Sequence, residues 1–213
     1  MILNNESAKK VAQSLLQIKA IKLQPNQPFT WASGWNSPIY CDNRKILSYP
    51  KVRTFIRQQF VDAIKEHYPK VEVIAGVATG GIAIGALVAE ELGLPFVYVR
   101  ATAKGHGLQN MIEGEVPIDK NVVIIEDLIS TGGSSLTALK ALRDAKSNVL
   151  GMVAIFTYGF ETAVQNFKTN NCSLITLCDY NILIETAEAD NYIAENDVKS
   201  LSEWRTDPEK WRK

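Results

Sequence analysis

The sequence predicts an α/β fold, a parallel sheet flanked by helices with a small N-terminal hood. Two observations predict it. From residue 71 to residue 177, short β-branched runs alternate with helical stripes, and the run Val122, Val123, Ile124, Ile125 is apolar without a break, as a strand covered on both faces is. Ahead of it, residues 21–42 carry three of the eight prolines and short aromatic runs in place of a helical period. That composition suits small strands lying outside a central sheet.

Taken in order, residues 6–19 read as a helix, with Val11, Leu15, Leu16 and Ile18 in one stripe and Asn5 or Ser7 as its cap. The hood follows, with short strands around 29–31 and 38–41. Residues 50–68 form the next helix, burying Val52, Phe55, Ile56, Phe60 and Ile64 on one face. The alternation then runs strand 71–75, helix 82–92, strands 96–99 and 122–125, helix 136–146, strand 149–158, helix 162–167 and strand 173–177. From 191 the chain is polar, with Trp204 and Trp211 docking a last helix. This is one domain over 1–213: N-terminal helix and hood to about 45, core from about 46 to 190, and tail from 191.

Composition narrows the function. A chain of 213 residues at 46% hydrophobic buries a substantial core without staples. Twenty-three basic against twenty-three acidic residues, with no long run of one sign, argue against nucleic acid or an anionic membrane as the main partner. The ligand should be small. Cys41, Cys172 and Cys178 show no paired spacing, so they read as reduced thiols. No window is long and apolar enough for a membrane span, and the N-terminus has no leader pattern, so cytoplasm is the expected location.

Residues 121–135 hold the strongest chemical signal: an apolar strand, the adjacent acids Glu126 and Asp127, the turn Leu128-Ile129-Ser130-Thr131-Gly132-Gly133, then Ser134, Ser135 and a helix. Unpaired amides at the helix start, with its dipole, favour an anion such as phosphate. Ionised carboxylates only accept hydrogen bonds, which suits ribose hydroxyls or a hydrated cation. Neither the nucleotide P-loop nor the three-glycine dinucleotide pattern is present.

Three further features belong at strand ends. Residues 75–81, Ala-Gly-Val-Ala-Thr-Gly-Gly, make a second glycine-rich turn before a helix, serving either another anion or close helix packing. Arg100, Lys104 and His106, the last flanked by Gly105 and Gly107, open a long segment without periodicity, suited to closing over a departing diphosphate. The hood segment 29–44 sets aromatics beside Arg44, a pairing that fits either a planar anionic base or a hairpin with core aromatics.

The run of four apolar residues, two acids and a Thr-Gly-Gly-Ser turn resembles the phosphoribosyl-diphosphate (PRPP) loop of type I phosphoribosyltransferases. With Phe-Thr-x-x-Ser-Gly-x-x-Ser-Pro-x-Tyr in the hood and Arg-x-x-x-Lys-x-His-Gly in the loop, nearly the whole chain resembles the orotate phosphoribosyltransferase family. The resemblance implies transfer of phosphoribosyl from PRPP to orotate, with Mg²⁺ carried in on the diphosphate and no metal site of the protein's own. It implies a homodimer whose loop covers the partner's site, Arg100, Lys104 and His106 holding the diphosphate. Lys104, His106 and Asp127 would be catalytic. Glu126 and Asp127 would take the ribose hydroxyls, Leu128, Ile129, Ser130, Thr131, Gly132, Gly133 and Ser134 would line the 5′-phosphate loop, and Ser130 would also touch orotate. Many members carry Lys where this chain has Ala32, Gly80, and Ala101 or Thr102, and some carry an Arg, absent here, soon after Tyr158. Arg44 is therefore the candidate for the orotate carboxylate, with the backbone of the hood as second choice. A phosphoribosyltransferase for another base and a non-catalytic PRPP or nucleotide sensor are the alternatives.

Overall fold

The computed structural model describes residues 2, 4–31, 34–102 and 111–212. The N-terminal helix α1 (Asn5–Gln17) is capped by Asn4, whose side chain accepts from the amides of Glu6 and Ser7, so the cap lies one residue before the sequence candidates. The hood consists of strand β1 (Ile21–Leu23) paired with β4 (Ile39–Cys41), and of a hairpin, β2 (Phe29–Thr30) with β3 (Asn36–Ser37). A 3₁₀ turn (Asn43–Ser48) leads to α2 (Pro50–His67), which Pro50 opens with its preset φ.

The central sheet holds six strands among the described residues, in the order β10 (Leu174–Asp179), β9 (Asn148–Thr157), β8 (Asn121–Ile129), β5 (Val73–Val77), β6 (Phe96–Val99), β7 (Ile112–Glu113). All pairs are parallel except β6 with β7. Connecting helices are α3 (Gly80–Leu92), α4 (Gly133–Asp144) and α5 (Glu161–Thr169). Alternate residues of one strand serve two cores: Val123 and Ile125 face the α1, α2 and α3 side, while Val122 and Ile124 face α4.

Four differences from the sequence reading have physical causes. β8 does not stop at Ile125 but runs through the two acids to Ile129, because β9 continues to pair with it as far as Ile129 opposite Thr157. β7, inside the segment read as aperiodic, is too short to leave a period. Helix α6 (Tyr180–Ala189) follows β10 directly, with no loop to announce it, and Asp179 caps it. The tail forms α7 (Glu195–Thr206), whose Trp204 is fully buried; Trp211 is buried just beyond the helix.

Candidate active site

β5 and β8 are neighbours, yet the chain leaves them in opposite directions, to β6 on one side and to β9 and β10 on the other. A crevice opens at the carboxyl ends of such a pair. The turn after β5 enters α3 at Gly80, and the turn after β8 enters α4 at Gly133. Both glycine-rich segments of the sequence therefore meet at one point of the sheet.

Glu126 and Asp127 sit there in unequal settings. Glu126 is 4% exposed; its Oε1 accepts from the Asp127 amide at 2.9 Å and its Oε2 from the Ser135 hydroxyl at 2.9 Å. Burial, and after it the neighbouring Asp127, hold the Glu126 carboxyl well above the usual carboxylate range. Asp127 is half-buried, and its carboxylate lies directly on Gly80: a Cβ there would overlap the carboxyl carbon and both oxygens. Gly80 is thus a close-approach glycine. Gly81 serves packing, since a Cβ at that position would overlap the Ile125 carbonyl.

The turn after β8 keeps its amides unused. Among the described residues none of the amides of Ser130 to Ser135 donates to a backbone acceptor, and Thr131, Gly133 and Ser134 are exposed. Its shape is fixed from outside, because Asn166 Nδ2 donates to the Thr131 carbonyl at 3.0 Å. Gly132 has φ +84°, and a Cβ there would come within 2.9 Å of the Phe167 ring. Amides gathered at a helix start make an anion site. Ile129 belongs to it through its backbone only: its side chain is in the core, and its carbonyl accepts from the Tyr158 amide and the Thr157 hydroxyl.

Beside this turn, a cleft of about 410 Å³ opens between hood and sheet, lined by Thr30, Trp31, Tyr40, Cys41, Leu128, Ser130 and Tyr158. Ser130 therefore joins the anion turn to an aromatic cleft. Trp31 packs on Tyr158 and Trp204, and the Trp204 indole N–H donates to the Asn36 carbonyl, so the tail helix braces the hood. Burial raises the Cys41 thiol and the Tyr158 phenol well above their ordinary values, so both line the cleft uncharged.

The cations are placed less simply. Arg44 pairs with Asp42 at 2.7 Å, its side chain 57% exposed, and it is not among the cleft-lining residues. Arg100 lies at the end of β6 and pairs with Glu113 of β7 at 3.4 Å. Lys104 and His106 lie outside the described residues, as does Ala32. No Arg comes soon after Tyr158 in sequence, but Arg205 of α7 donates to the carbonyls of Tyr158 and Gly159, both at 3.0 Å. Among the described residues no group of three or more His, Cys, Asp or Glu side chains is placed to hold a metal ion.

The phosphoribosyl transferase domain model matches residues 45–189. The chain is 57% identical over 203 residues to the orotate phosphoribosyltransferase of Porphyromonas gingivalis, covering 95% of this chain and 97% of that one. The chain belongs to the orotate phosphoribosyltransferase family. The Cytophaga hutchinsonii orotate phosphoribosyltransferase is 53% identical over 205 residues, covering 96% and 98%. Among solved structures, the orotate phosphoribosyltransferase of Aeropyrum pernix shares the fold, with a TM-score of 0.75 at 24% identity over 86% of this chain and 99% of that one.

Sequence reasoning gave no site role to the side chains of three residues of this orotate phosphoribosyltransferase family member. Ser135 holds Glu126, Tyr158 floors the cleft, and Asn43 donates from Nδ2 to the Asp127 carbonyl at 2.7 Å. Ser135 had a signal, since a strand-turn-helix return brings the helix's first turn back over the strand end. Asn43 had none, because its partner lies 84 residues away.

Proposed function

We propose that the protein transfers the 5-phosphoribosyl group of PRPP to N1 of orotate, giving orotidine 5′-monophosphate and diphosphate. The observation that carries this reading is the continuity of the site: the open amides after β8 and the aromatic cleft meet at Ser130, on the strand end that carries Asp127. Ribose hydroxyls belong on Asp127, with the buried Glu126 beside it, and the 5′-phosphate on the amides of Ser130 to Ser134. Orotate belongs in the cleft against Trp31 and Tyr40, flat rings offering stacking, with Ser130 at its edge. Arg44 is the proposed partner of its carboxylate, which requires the side chain to swing toward the cleft; Asp42 engages its Nε, and the terminal nitrogens would serve the carboxylate.

Breaking the bond from ribose C1 to diphosphate builds positive charge on the sugar and negative charge on the leaving group. Arg100, with Lys104 and His106 of the loop, is proposed to meet that negative charge, the loop reaching the site of a partner subunit in a homodimer. Magnesium, bound through the diphosphate, would supply further neutralisation of the leaving group. Closure excludes water, which would otherwise capture the sugar. Attack by N1 from the opposite face inverts C1. A cytoplasmic location is proposed in keeping with the reduced-thiol reading of the cysteines; among the described residues no helix is long and apolar enough to cross a membrane.

The test is loss of orotate ultraviolet absorbance with PRPP and Mg²⁺, beside uracil, hypoxanthine and adenine. Consumption of orotate alone is the expected result. Consumption of another base would overturn the assignment of the cleft, and binding of PRPP with no base consumed would make the protein a sensor.

A further inference from the structure

The base cleft has two walls from distant parts of the chain: Tyr40 and Cys41 from the hood, Leu128 and Ser130 from β8 and its turn. One buried side chain joins them. Asn43 is 1% exposed, stands two residues after Cys41, and donates to the carbonyl of Asp127, the residue before Leu128. The need for that donor lies in the sheet. β5 and β8 pair as far as Gly76 opposite Ile125, after which β5 ends at Val77 and its chain turns into α3. Asp127 lies beyond the last rung on that side, and the hood amide serves where a strand neighbour has gone. Asn43 does so at a cost, because its Oδ1 is buried without a hydrogen-bond partner among the described residues. Packing alone would be served as well by an apolar side chain of the same branched outline, such as Leu, with no buried acceptor. The same Asp127 rests its carboxylate on Gly80, so any tilt of its backbone moves that carboxylate within the crevice.

We infer that Asn43 is a positioning residue that clamps the hood to Asp127, keeping the base cleft and the ribose-binding carboxylate in one register. The inference rests on the phosphoribosyl-transfer reading above. Asn43 itself is withheld from both substrates by burial, and it acts through where Asp127 and Leu128 sit. Misplacement by about 1 Å is enough to cost an enzyme on the order of a hundredfold, so a slackened clamp should register well above noise.

The test uses Asn43→Leu, which keeps the branched outline and removes donor and orphan acceptor together, with Asn43→Ser as a second, smaller variant should the first fail to fold. Kd for PRPP by calorimetry and KM for both substrates are measured alone and in an Asp127→Asn background. The expected result is a rise of about tenfold in the PRPP Kd and in both KM values in the folded variant, with a fall of a few degrees in thermal midpoint from the unpaired Asp127 carbonyl. In the Asp127→Asn background the effect on PRPP should shrink below about twofold, because the residue being positioned no longer supplies its charge. Unchanged Kd and KM in a folded Asn43 variant would overturn the inference, as would full additivity with Asp127→Asn. Failure of the wild type to bind PRPP would instead remove the functional reading, and the inference with it.

Discussion

Replacing Gly80 by Ala tests the placement of Asp127 most sharply. The added methyl would occupy the space of the Asp127 carboxylate. Backbone retreat offers little relief, because the next residue, Gly81, is already packed on the Ile125 carbonyl of β8. The side chain of Asp127 must therefore rotate, at about 0.5–1.5 kcal/mol if it is forced off a rotamer, and it leaves the ribose position. A hydrogen bond to a charged group is worth about 1.5–3 kcal/mol, and about 1.4 kcal/mol is tenfold in rate. The variant should accordingly lose roughly ten- to a hundredfold in kcat/KM for PRPP, followed by orotate absorbance. Folding should survive, since what the methyl meets is the end of the Asp127 side chain and not backbone. A folded Gly80→Ala enzyme within twofold of wild type would refute the reasoning, because the carboxylate could then move without consequence.

Glu126→Gln should change the pH dependence of stability. The folded wild type holds the Glu126 proton above its ordinary value of 4.5, so stability is lost as pH rises from there through the folded pKa. Gln cannot ionise, and the variant's gain in thermal midpoint should grow between pH 4 and pH 8; a constant difference would contradict the burial argument. Trp204→Ala removes a fully buried ring that packs on Trp31, Tyr158, Phe160 and Tyr180. It should cost about 3–5 kcal/mol, or roughly 6–20 °C in midpoint, and a shift under about 3 °C would show that the tail does not brace the hood. His106→Ala should lower kcat by about a hundredfold or more in a folded enzyme if the loop meets the leaving group, and unchanged turnover would remove that role.

What the sequence revealed was what is local. The strand, acids and turn of residues 121–135 and the two glycine-rich helix starts are each written in consecutive residues, and their order alone places each at a strand's carboxyl end. Pairing across the sheet is not written that way. The acids appear to end a strand in sequence, yet β9 carries β8 four residues further. The unequal burial of Glu126 and Asp127 follows from that extension and from Ser135, neither visible as a pattern. The hood aromatics could be read as core or as site, and the structure makes Trp31 both, packed on Trp204 and lining the cleft. Gly80, read as phosphate cradle or packing glycine, instead makes room for a carboxylate presented by another strand. Contacts between residues dozens of positions apart, such as Asn43 with Asp127 or Arg205 with Tyr158, leave no trace in local composition.

The most direct test of phosphoribosyl transfer to orotate is the stoichiometry of its products, followed by phosphorus resonance with PRPP, orotate and Mg²⁺. One orotidine 5′-monophosphate, inverted at C1, and one diphosphate should form for each orotate consumed. Ribose 5-phosphate with diphosphate and unconsumed orotate would contradict it, because the site would then activate PRPP without guarding it from water.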